Sequence, residues 1–133
     1  MPDDILLNKS QIIRRCLARV TEEYANESAN LEQPTRQDSI IINLQRACES
    51  AIDLAMHLVA QRNLGLPQTS RDAFTFLEKA GILTEQTAQQ MRAMVGFRNI
   101  AVHNYQELQL VVLQKIVEEH LIDFETFLLE CHK

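Results

Sequence analysis

The chain contains no tryptophan, 3 glycines and 3 prolines in 133 residues. So few breakers leave little room for the closely spaced turns of an all-β fold, and strand-type alternation is scarce, so helices are expected. Cysteine is sparse as well: Cys16, Cys48 and Cys131 are odd in number, far apart, and share no C-x-x-C or Cys/His spacing. This argues against a disulfide scaffold or a zinc knuckle and predicts three reduced thiols packed as small hydrophobes. No apolar run approaches the ~20 residues that span a bilayer. Met1-Pro2-Asp3-Asp4 lacks the positive region and apolar stretch of a secretory leader, so the cytoplasm is the expected location. Gly96 stands alone and builds no glycine-rich phosphate loop.

Apolar residues make up 46% and charged residues 23% of the sequence, ordinary values for one soluble domain spanning residues 1–133. The formal net charge of −5 argues against a nucleic-acid binder coated in basic residues. It leaves room for a local basic site, because nine of the thirteen basic residues are arginine, the side chain suited to bidentate phosphate recognition.

Apolar spacing of three and four predicts a first helix from about Asp4 to Asn26, with Ile5, Ile12, Ile13, Cys16, Leu17, Val20 and Tyr24 on one stripe. A polar loop follows to Thr35, and Pro34 marks the next helix start. The second helix is predicted over about Arg36 to Asn63, ended by Gly65 and Pro67. Ser70 is the predicted cap of a short third helix, Arg71 to Ala80, and Thr84 that of a fourth carrying Met91, Met94 and Val95 inward. Asn104 and Glu107 match a capping-box pattern, so a fifth helix is expected from there to Cys131. Apolar residues outside single stripes, among them Ile40 to Ile42, Val111 and Val112, point to pairing with a second copy, the alternative being that loops and short helices of the same chain cover those faces.

Chemistry concentrates in Phe97-Arg98-Asn99-Ile100-Ala101-Val102-His103-Asn104-Tyr105. A fixed planar cation, an amide, an imidazole that titrates near neutrality and a phenol fall together there, a set suited to holding a phosphodiester and moving a proton. An unbroken helix from Arg98 to His103 would set the two side chains about 140° apart. A chain turn at Asn104 would bring His103 back toward Arg98, and an Asn99–His103 hydrogen bond would fix the imidazole. The free N–H groups opening the fifth helix would add a phosphate site, with Tyr105 at its rim. The plainer reading keeps Arg98 and His103 as a cap and a surface group.

The pattern Arg98-x4-His103-x-Tyr105, with Asn99 directly after the arginine, resembles the R-x4-H-x-Y motif of HEPN-domain ribonucleases and, among them, the HepT-type toxins. Chain length, helical layout and the motif's place before the last long helix agree. The resemblance implies an all-α, HEPN-type bundle of about five helices that forms a homodimer. It implies the toxin of a type II toxin–antitoxin system, an endoribonuclease that needs neither metal nor cofactor. Arg98 and His103 would be its catalytic pair in a cleft across the dimer, with Asn99 in support. RNA, either tRNA or mRNA, would supply its own 2′-hydroxyl nucleophile and leave a 2′,3′-cyclic phosphate. The implied partner is a minimal nucleotidyltransferase antitoxin that silences the toxin by transferring AMP to Tyr105. The competing reading is a non-catalytic helical module that binds a nucleotide or a nucleotidyltransferase.

Elsewhere, His57 reads as structural, an intrahelical pair with Asp53 four residues before it being feasible and recruitment to a dimer cleft the alternative, and His120 and His132 are expected to face solvent. Asp3 with Asp4, and Glu118 with Glu119, read as solvated faces. Arg46, Arg62 and Arg92 are candidates for an RNA track.

Overall fold

Local sequence decides where each helix starts. The computed structural model describes residues 3–103 and 108–133. Asp3 caps α1 (Asp4–Tyr24), its carboxylate accepting from the N–H groups of Ile5 and Leu6 at 3.1 Å each. The helix stops two residues earlier than its stripe suggested, at Ala25 and Asn26, both in the left-handed region. A 3-10 turn, Ser28–Glu32, replaces the expected loop, and Asn30 Nδ2 donates to the Tyr24 carbonyl at 2.7 Å to hold it against α1.

Pro34 is the first residue of α2 (Pro34–Gln61), where its fixed φ suits the helix and its missing N–H is not needed. Twelve of this helix's residues are buried, from Ile40 to Val59, and it touches α1, α3 and α4, which makes it the central rod. Thr69, not Ser70, caps α3 (Ser70–Lys79). Its hydroxyl accepts from Asp72 N while the Asp72 carboxylate accepts from Thr69 N, and this reciprocal box selects Thr69 over its neighbour.

Gly81 turns the chain at a φ of +76°, a left-handed geometry that suits glycine. Thr84 then accepts from Thr87 N at the start of α4 (Glu85–His103), as expected. The Glu130 carboxylate accepts from Thr84 N at 2.8 Å and from the Thr87 hydroxyl at 2.7 Å, tying the α4 start to the far end of the chain.

The last rod differs most from expectation. It begins at Leu110, later than expected. It comprises α5 (Leu110–Lys115), a π-helical turn (Ile116–His120) and α6 (Leu121–Cys131). Asn104 and Glu107 lie outside the described residues. Gln109 stands at the start of α5 without a side-chain cap, and the first turn is Leu110-Val111-Val112-Leu113, an apolar opening that gives a phosphate nothing but backbone. In the π turn, Tyr24 of α1 donates its hydroxyl to Glu118, and His120 Nδ1 bonds the buried Asp123 carboxylate at 2.8 Å. Glu118 is therefore tied to α1, and His120 is half-buried instead of facing solvent.

The architecture is all-α, with no strand among the described residues. Its core runs through Ile13, Leu44, Leu54, Phe74, Phe124 and Phe127, with Phe74 and Phe127 edge to face at 5.6 Å. All three cysteines are buried and free. Ile5, expected on the buried stripe, is exposed. His57 bonds Asp3 at 2.8 Å and not Asp53, because Asp53 is already paired with Lys9 at 3.1 Å. His132 reaches the Ser10 hydroxyl at 3.1 Å. Among the described residues no helix is long and apolar enough to cross a membrane.

Candidate functional site

The motif rides on α4, and helical spacing decides where its side chains go. The buried face of α4 carries Thr87, Ala88, Met91, Met94, Val95 and Ala101. Arg98 follows Met94 by four and Val95 by three, and precedes Ala101 by three, so it belongs to that inward face. The guanidinium accordingly lies between helices: Nη2 donates to the Ser70 hydroxyl at the start of α3, at 3.3 Å. Its Nε is buried without a hydrogen-bond partner among the described residues. The Arg98 charge also reaches the thiol of Cys48 on α2 and favours the thiolate, yet burial dominates and pushes that thiol up to about 12.

His103 is the last residue of α4 and is exposed. The helix runs unbroken from Arg98 to His103, so their directions differ by about 140° and the turned-back imidazole does not occur. Nor does a hydrogen bond join Asn99 to His103 among the described residues. Asn99 is half-buried, closer in direction to His103 than to Arg98. Tyr105 lies outside the described residues. One chain therefore offers the arginine inward and the histidine outward.

The His103 side of α4 borders an open groove of about 530 Å³ between α4 and the last rod. Met94, Phe97, Ile100, Val111, Val112 and Ile116 make its lining mostly apolar, and the His120–Asp123 pair sits at its edge. Ile100 and Leu108 bracket the motif's last residues on either side in sequence. The surface in and beside the groove is apolar: Val111 is 75% exposed, and Val102, Leu110 and Val112 are each close to two-fifths exposed. So much aliphatic surface around a polar motif needs a cover.

Arg71, which the sequence did not single out, lies against the helix that carries the motif. Its Nε donates to the Arg92 carbonyl on α4 at 3.3 Å, and an added Cβ on Gly96 would lie 3.1 Å from its Nη2. The missing side chain at Gly96 lets this guanidinium lie against the helix. The one sequence sign was a glycine two residues before Arg98. Arg92, a candidate for an RNA track, is instead held by Glu78 at 3.0 Å and by the Thr75 hydroxyl at 3.3 Å. No three His, Cys, Asp or Glu side chains among the described residues converge to hold a metal ion.

Comparison with known proteins adds the relatives. The family model described as "Ribonuclease HepT-like" matches residues 11–131. An mRNA nuclease HepT from Shewanella oneidensis is 46% identical over 126 residues, which cover 95% of each chain. A tRNA nuclease HepT from Aphanizomenon flos-aquae is 35% identical over 65 residues, 49% of this chain and 44% of that one. Among solved structures, a tri-AMPylated Shewanella oneidensis HEPN toxin in complex with its MNT antitoxin superposes with a TM-score of 0.93. It is 44% identical, with 98% of both chains covered.

Proposed function

This chain belongs to the HepT-like ribonuclease family, and from that premise we propose that it is a toxin ribonuclease whose active site two copies build together. The carrying observation is the unbroken helix from Arg98 to His103. It points Arg98 and His103 about 140° apart, so one chain cannot close the pair on a single phosphodiester. A second copy seated on the aliphatic surface around Val102, Leu110, Val111 and Val112 covers that surface and brings a second Arg98 and His103 to the same cleft.

The chemistry follows from what RNA brings. His103 of one copy takes the proton of the 2′-hydroxyl, whose oxygen attacks the adjacent phosphorus. The phosphorane that forms carries its charge on the non-bridging oxygens, where the Arg98 guanidinium stabilises it. The partner's His103 returns a proton to the departing 5′-oxygen, leaving a 2′,3′-cyclic phosphate. Asn99, half-buried beside the motif, supports the site by orienting the phosphate. An Nε that is buried and has no partner among the described residues favours such an anion. No metal is needed for any of these steps.

The relative of known structure carries AMP groups and binds a nucleotidyltransferase antitoxin. By analogy the partner here is a minimal nucleotidyltransferase, and Tyr105, two residues beyond His103, receives the AMP. The adduct's bulk and phosphate charge would occupy the position of the RNA backbone. The substrate is RNA, with mRNA favoured because the relative aligned over nearly the whole chain is an mRNA nuclease.

The test is RNA cleavage by the purified, unmodified chain in excess EDTA, with product ends mapped. Wild type should leave cyclic phosphate and His103→Ala should leave the RNA intact. Cleavage that the chelator abolishes, or an equally active His103→Ala, refutes the mechanism. Co-expression with the nucleotidyltransferase should add AMP-sized mass to the peptide containing Tyr105, and its absence there refutes the proposed switch.

A further inference from the structure

Arg71 is exposed, comes from α3, and carries an anchored Nε with its two terminal nitrogens free of any ion pair among the described residues. Its guanidinium rests at Gly96, whose direction on α4 is within about 20° of that of His103 seven residues later. Two helical turns separate those positions along the axis, about 10 Å. The face that carries the proton-transfer group therefore also carries a fixed, open arginine fork, at a distance of the order of a nucleotide or two of single strand. Arg92, the neighbouring cation, is neutralised by Glu78, so Arg71 is the charge left available there.

We propose that Arg71 grips a phosphate of the RNA strand flanking the scissile one, a subsite that sets substrate affinity and not the chemical step. The proposal rests on the ribonuclease reading above and extends it to a residue outside the motif. The anchoring matters: a guanidinium held by a backbone carbonyl loses less freedom on gripping a phosphate than a freely moving lysine does. Gly96 is part of the same device, since an added Cβ would stand 3.1 Å from Nη2 and nudge the fork from its place.

The experiment uses the full, unmodified chain and an uncleavable 2′-O-methyl oligoribonucleotide, with affinity measured against salt concentration. Cleavage of the matching RNA is measured in parallel. Arg71→Ala is expected to raise Kd and KM about tenfold, the weight of one charge-assisted contact, with kcat within twofold of wild type. The slope of log affinity on log salt should fall by about 0.7, which a merely structural role would not produce. Arg71→Lys should recover the slope and only part of the affinity. Gly96→Ala, which keeps the charge but shifts the fork, should raise KM by several-fold and guards against a folding defect in Arg71→Ala. A wild type that cuts RNA while Arg71→Ala matches it in KM and salt slope overturns the subsite alone. So does an Arg71→Ala defect confined to antitoxin binding. A wild type that cuts no RNA overturns the ribonuclease reading and this one with it.

Discussion

Replacing Arg98 by methionine should make the protein more stable while removing its activity. The Nε of Arg98 is buried with no partner among the described residues, a state that costs roughly 1–3 kcal/mol. Against this stands one hydrogen bond to Ser70, long at 3.3 Å and worth about 0.5–1 kcal/mol. A methionine would follow the same path between α2, α3 and α4, retain most of the aliphatic contact, and contribute about 1 kcal/mol of apolar burial at the guanidinium's place. The net expectation is a gain of about 1–3.5 kcal/mol. That corresponds to a rise in Tm of about 4–12 °C for a chain of this length. Urea and thermal unfolding at matched protein concentration, beside RNA cleavage, would measure both sides of the trade. Cleavage should fall at least ~100-fold. A variant that loses more than 1 kcal/mol would show that the guanidinium anchors the fold, and the picture of an arginine kept for chemistry at the expense of stability would be wrong.

Val111→Asp places a charge on a residue that is 75% exposed in one chain. It should leave helical content unchanged, shift the protein to monomer in analytical ultracentrifugation, and abolish cleavage. A dimer of normal activity would show that the second copy docks elsewhere. The buried thiols of Cys48 and Cys131, both pushed up to about 12 by desolvation, keep their protons in the folded state, whereas exposed thiols titrate near 9.0. Stability should therefore be intact below pH 9 and fall as pH rises toward 12, by about 1.4 kcal/mol per pH unit for each such thiol. Cys48→Ala should flatten that alkaline decline, measured by urea unfolding at pH 8, 9 and 10, and an unchanged slope would refute the assignment. In native protein all three thiols should resist a disulfide reagent and react only on unfolding.

Much of this was legible in the chain, and the misses share a cause. Pro34 fixed the start of α2 because its constraint is local. Thr69 and Ser70 are both capping residues, and only Asp72, three beyond Thr69, breaks the tie. The Asn104/Glu107 pattern looked like another box; those residues lie outside the described ones, and the rod starts at Leu110. His57 prefers Asp3 over the nearer Asp53 because Lys9 claims Asp53, a contact between α1 and α2 that no local rule contains. At the site, the motif and the divergence of Arg98 from His103 could be computed from spacing, and the inward path of Arg98 was implicit in Met94, Val95 and Ala101. Arg71 could not be found that way, because its place against Gly96 exists only once α3 packs on α4.

The direction of two side chains on one helix has a consequence for the cell as well as for the cleft. If Arg98 and His103 complete each other only between copies, active enzyme grows with the square of chain concentration while the copies remain mostly apart. A few chains made by leaky expression then do little harm, and doubling the amount quadruples the damage. On that arrangement an antitoxin would need only to keep the free pool low, and the divergence of the two side chains on α4 would supply the margin.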